Sequence, residues 1–119
     1  MPAGHVPAVE VTDLTVRYGS EGEVTAVDGL DLSAEAGEVL VVLGPNGAGK
    51  TSTIESMEGY RRPAGGRISV LGLDPIADHR QLTELMGVML QKGGVYPMLP
   101  PRHVLDLFSR FYAAPLATD

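Results

Sequence analysis

Val39-Leu40-Val41-Val42-Leu43, followed directly by Gly44-Pro45-Asn46-Gly47-Ala48-Gly49-Lys50-Thr51, is the stretch on which the reading of this chain turns. The second part fits the pattern G-x-x-x-x-G-K-[ST], and the first is the unbroken apolar run expected of a strand covered on both faces. Strand, tight loop and helix in that order are the context a phosphate-binding loop requires. A triphosphate packs several negative charges into a small volume. Backbone N–H groups converge on it only where side chains stay out of the way. Gly44, Gly47 and Gly49 permit that approach, with Pro45, Asn46 and Ala48 completing the loop. The helix that follows adds the positive end of its dipole. Lys50 is expected to reach the β- and γ-phosphates as a mobile point charge, and Thr51 to place a hydroxyl at Mg²⁺. Ser52 reads equally as a donor to the α-phosphate or as an ordinary first-turn helix residue.

Outward from the loop, the pattern is of alternating strands and helices. Val9 and Val11 share one face, while Leu14, Val16 and Tyr18 alternate in the opposite phase, so a bulge is expected near Thr12-Asp13. A second strand is expected over 24–33. On the other side of the loop, a helix runs over 49–58 with Ile54 and Met57 on one face and Gly59 placed to end it. Residues 67–71 read as a short strand, 75–86 as a helix opened by Pro75, and 88–90 as a further short strand. Pro101 opens a last helix with Val104, Leu105, Phe108, Phe111 and Tyr112 as its apolar stripe. Residues 1–7 read as a loose tail and 8–119 as one domain.

The composition narrows the function. With 119 residues, 44% apolar and 20% charged, the chain holds at most one ordinary globular domain. A net charge of −6 leaves no basic footprint, so no nucleic-acid partner is expected. The absence of cysteine rules out disulfides and thiolate metal sites. No charged and apolar leader precedes Val9, and no apolar run approaches the ~20 residues of a membrane helix. Any membrane role must therefore come through a partner. His5, His79 and His103 show no carboxylate pairing or metal-ligand spacing and are expected to be solvated.

The run LVVLGPNGAGKTST resembles the Walker A segment of ATP-binding-cassette (ABC) transporter ATPases, and the resemblance extends in order over nearly all of residues 8–115. VEVTDLTVRYG resembles the family's first strand, ending in the adenine-stacking aromatic, here Tyr18. VDGLDLSAEAGEV resembles the lead into Walker A, and GGRISVLGLDP the strand after the first helix. VMLQKGGVYPML resembles the segment carrying the Q-loop, with Gln91 as its glutamine. PRHVLDLFSRFYAAP resembles the start of the helical subdomain in drug- and polyketide-export members. The resemblance implies an α/β fold, a P-loop NTPase core of ABC type with an N-terminal antiparallel β subdomain, truncated before Walker B. It implies ATP and Mg²⁺ as ligands, with Lys50 and Gln91 in the catalytic set and Thr51 and Gln91 at the metal. It implies a second ATP-binding subunit and a separate membrane permease as partners, and a cytoplasmic location at the inner face of the membrane. Where members often carry an acidic residue early in the last helix, this chain has His103.

After Gln91 there is no aliphatic run ending in Asp-Glu and no LSGGQ-type signature. The resemblance thus implies that the domain over 8–119 is partial, the first half of a nucleotide-binding domain, able to bind ATP and incomplete for hydrolysis. It also implies that the strands flanking 39–43 lie in the missing half, leaving that run with unpaired edges. The expected function is the ATP-binding subunit of an exporter. The alternative is a truncated or pseudo-ATPase that binds nucleotide or a partner without turnover. A GTPase would need N-K-x-D, which does not occur.

Overall fold

The computed structural model describes residues 4–47, 49–92 and 97–117, so Ala48 and the tip of the 91–100 loop lie outside the described residues. The chain divides into two compact units, Met1–Val88 and Met89–Asp119.

In the first unit a three-stranded antiparallel sheet has the order β2-β1-β3, formed by β1 (Val9–Tyr18), β2 (Val24–Ala34) and β3 (Gly65–Val70). The slip in apolar phase along β1 has its counterpart in the backbone. The register of β1 against β2 shifts between Val11 and Leu14, and Asp13 sits at φ 51° with its amide donating to Asp31 Oδ1 at 2.7 Å. One inserted residue brings Val11, Leu14 and Val16 onto one buried face, where they pack with Val27, Ile68, Val70 and Leu82.

Helix α1 (Lys50–Met57) lies where the sequence predicts it. It is closed by Gly59 at φ 82°, with Gly59 N–H donating to Ser56 O at 3.2 Å and Tyr60 N–H to Glu55 O at 3.0 Å. These paired bonds are a Schellman ending. A Cβ at Gly59 would fall 2.3 Å from the Pro75 carbonyl oxygen, so the helix end and the next segment approach closely only because this residue is glycine. Of the expected face of α1, Met57 packs against the core, but the rest of the buried side differs. Ile54 is exposed, and Ser52, Thr53 and Ser56 are buried instead. Each of the latter two satisfies its hydroxyl on the preceding turn, Thr53 Oγ1 to Gly49 O at 2.8 Å and Ser56 Oγ to Ser52 O at 2.7 Å. Small, internally bonded side chains let the helix sit close to its surroundings.

Helix α2 (His79–Thr83) is shorter than the expected 75–86, because residues 75–78 form turns ahead of it. Two expected strands do not form. Residues 39–43 carry no strand assignment, and Val39 (87%), Val41 (66%) and Leu43 (85%) are widely exposed. A strand is held by its neighbours' hydrogen bonds, and both edges of β1 are already taken by β2 and β3. No described residue pairs with 39–43, and its apolar side chains are uncovered as the family resemblance implies. Residues 88–90 are irregular for the same reason, with Met89 and Leu90 exposed.

In the second unit, Pro101 opens helix α3 (Pro101–Ser109) at its first turn, as expected. The stripe of Leu105, Phe108, Phe111 and Tyr112 is exposed, with Phe111 and Tyr112 lying past the helix end.

Candidate phosphate-binding loop and base-stacking tyrosine

Residues 44–50 leave the irregular run and enter α1 through Gly49, whose φ is 90°. A Cβ there would meet Ala26 O at 2.4 Å and Val27 Cγ2 at 2.9 Å. Gly49 is thus required twice, for its left-handed backbone and for the contact that seats the loop on β2. Gly47, at φ 82°, has open space around its Cβ position. Pro45, Asn46 and Gly47 are exposed, and among the described residues no hydrogen bond engages the amides of Asn46, Gly47 or Gly49. These donors stand at the amino end of α1, where unpaired N–H groups and the helix dipole favour an anion. The first turn carries no acidic side chain to compete.

Lys50 Nζ donates to the carbonyl oxygen of Gly44, so the ammonium folds back along the loop it belongs to. Thr51 is exposed, and Ser52 is buried. The structure brings Ser52 and Tyr18 together, their hydroxyls sharing a hydrogen bond of 2.5 Å. The link between the end of β1 and the first turn of α1 is not readable from either residue alone. The Arg61 guanidinium lies 4.2 Å from the Tyr18 ring centroid, and its Nε donates to Glu55 Oε2 at 3.0 Å. Sequence reasoning passed over Arg61 and Glu55. Their six-residue separation brings them together only after Gly59 reverses the chain.

Gln91 belongs to the second unit and is exposed. Ala48 lies outside the described residues. His5 is solvated as expected, its side chain 75% exposed, but it has a carboxylate partner, and His79 is only half-exposed. His5 Nε2 is 2.5 Å from Glu35 Oε2, a pairing between residues thirty apart that no local spacing announces. His79 packs edge-on against Tyr60 and has its Nδ1 3.2 Å from Pro75 O. Among the described residues no group of His, Asp or Glu is arranged to hold a metal. No described helix is long and apolar enough to cross a membrane.

An antiparallel sheet whose edge leads through a glycine loop into a helix is the arrangement of a nucleotide-binding cassette. Solved structures share it. A structure described as the ATP binding subunit of an ABC transporter superposes with a TM-score of 0.74 at 24% identity, over 89% of this chain and 43% of its own. A dimeric bacterial ABC transporter cassette gives 0.74 at 21%, over 92% and 50%.

The profile of the ABC transporter family matches residues 27–108, and the chain belongs to that family. It is 35% identical to a Nod factor export ATP-binding protein of Ralstonia nicotianae, over 97% of this chain and 35% of that protein. It is 37% identical to a daunorubicin resistance ATP-binding protein of Streptomyces coeruleorubidus, over 88% and 32%. The chain thus spans about a third of the length of these curated relatives.

Proposed function

We propose that this chain supplies the ATP-binding part of a transporter's ATP-binding subunit, of the exporting kind. The observation that carries the reading is the glycine loop at 44–50, open along its amides, seated on β2 through Gly49 and opening α1 with Lys50. The export and drug-resistance roles named for the relatives support the direction of transport.

In this reading the triphosphate tail lies along the amides of Asn46, Gly47 and Gly49, and Lys50 leaves the Gly44 carbonyl for the β- and γ-phosphates. The exchange replaces a bond to a neutral carbonyl with a charge-assisted one. Tyr18 stacks on adenine, with its hydroxyl tied to the helix that holds the phosphates. Thr51 and Gln91 offer the hard oxygen donors Mg²⁺ takes, and the ion would neutralise charge on the β- and γ-oxygens. Lys50 and Gln91 are the catalytic residues within the chain, and Ala48 completes the cradle. A second ATP-binding subunit closes over the nucleotide, and a separate membrane permease carries the cargo. The protein works in the cytoplasm, at the inner face of the membrane.

The second reading, nucleotide binding without turnover, is favoured for these 119 residues taken alone. Residues 92–119 contain no Asp-Glu pair after an aliphatic run, the pair that the family resemblance gives to holding Mg²⁺ and organising the attacking water. Calorimetric titration separates the possibilities. The chain should bind Mg·ATP without releasing phosphate, and Lys50→Ala should lower ATP affinity at least tenfold. Unchanged affinity in the variant would remove the phosphate cradle from residues 44–51. Steady ATP turnover by the 119 residues would remove the binding-only reading.

A further inference from the structure

We propose that Arg61 is a positioning residue for the nucleobase. It backs one face of the Tyr18 ring and, held by Glu55, fixes the ring with its other face toward adenine. This rests on the reading of Tyr18 as the base-stacking residue.

Two contacts reach the tyrosine, and a third holds one of them. Its hydroxyl is bonded to Ser52 at 2.5 Å, its ring carries the Arg61 guanidinium at 4.2 Å, and that guanidinium is held at 3.0 Å by Glu55. The Arg61 and Glu55 side chains are each about one-third exposed, at 33% and 35%. Partial burial gives the ion pair and the cation–π contact more weight than either has on an open surface.

The direction of approach follows from the fold. The Schellman ending at Gly59 turns the chain back so that Arg61 meets Glu55, at the carboxyl end of α1. The open amides stand at the amino end of α1, past Gly49. Tyr18 is itself partly buried against the core, and its hydroxyl is tied to Ser52 near the amino end of α1, where a nucleotide with its tail at 44–51 would arrive. What Arg61 contributes is pre-organisation, since a ring already fixed loses less freedom when the base stacks on it.

The test titrates the chain and its variants with Mg·ATP and, in parallel, with inorganic tripolyphosphate. Arg61→Ala should weaken ATP about three- to fivefold, the scale of one part-buried cation–π contact, and leave tripolyphosphate unchanged. Arg61→Lys should recover most of the loss, and Glu55→Gln should show part of it. In a Tyr18→Ala background, Arg61→Ala should cost nothing further, a result that a merely structural role would not produce. Unchanged or tighter ATP binding by Arg61→Ala would overturn the proposal, tighter binding meaning that the guanidinium holds the stacking face itself. Equal loss of tripolyphosphate, or full additivity with Tyr18→Ala, would overturn it as well. If Tyr18→Ala leaves ATP affinity intact while tripolyphosphate still binds, base stacking by Tyr18 fails, and the role of Arg61 fails with it.

Discussion

At the scale of single residues, Gly44 and Gly49 are the fixed glycines of the motif, Gly47 falls on one of its free positions, and the structure separates Gly47 from Gly49 further. Gly49 and Gly47 both have positive φ, yet only Gly49 has a backbone oxygen, that of Ala26, where a methyl group would go. Gly47→Ala should cost about 1 kcal/mol, the penalty for a side chain in the left-handed region. Gly49→Ala carries that penalty plus a backbone collision, and should cost well over about 2 kcal/mol. Urea denaturation of the two variants reads the difference, and equal losses would show that Gly49 does not seat the loop on β2. Two carboxyls set opposite pH responses. Desolvation, and then the charge of Glu55, push Glu58 above the ordinary glutamate value. Its contribution to stability is therefore full in acid and lost as pH rises through the raised value. The amides of Ala77 and then Ile76 hold Asp74 below the ordinary aspartate value. Its contribution is present above about pH 3.9 and lost as pH falls through the depressed value. Glu58→Gln should accordingly raise the denaturation midpoint at pH 7 and leave it unchanged at pH 3. A midpoint raised equally at both would assign the effect to packing.

At the scale of elements, what the sequence made legible was whatever depends on local chemistry. The phase slip in β1 announced its bulge, Gly59 announced the end of α1, and Pro101 the start of α3. The glycine loop was legible as a motif leading into α1, whereas the contact by which Gly49 seats it on β2 was not. The buried face of α1 was not. Hydrophobicity pointed to Ile54, whereas closeness of approach selected Ser52, Thr53 and Ser56. The Tyr18–Ser52 bond and the Arg61–Glu55 pair were equally hidden, since each depends on how the chain folds back. The serine face yields a prediction. Ser56 is wholly buried with its hydroxyl bonded to Ser52 O. Ser56→Ala should change stability by less than about 1 kcal/mol, because the partner carbonyl keeps its helical hydrogen bond. Ser56→Leu puts a much larger side chain at a wholly buried position and should cost about 1–3 kcal/mol. A leucine tolerated without loss, measured by thermal or chemical melting, would show that the helix is not closely seated there.

At the scale of the whole molecule, the segment 39–43 sets the behaviour. Its apolar run reads as a strand buried on both sides, yet Val39, Leu40, Val41 and Leu43 lie exposed and no described strand pairs with them. Unpaired backbone beside uncovered valines and leucines is the surface that seeks another chain. The charge of −6 works against association without covering the patch. The 119-residue chain should therefore self-associate at micromolar concentration, and Val39→Glu with Val41→Glu should shift it toward monomer. Those two substitutions lie outside the β2-β1-β3 sheet, whose melting should not change. Hydrogen exchange gives a second reading on the same sample. Amides of 39–43 should exchange as fast as loop amides in the monomer and gain protection only as the associated species grows. Sedimentation of a single monomeric species across tens of micromolar, with protected amides at 39–43, would mean that the run has found a partner within its own chain.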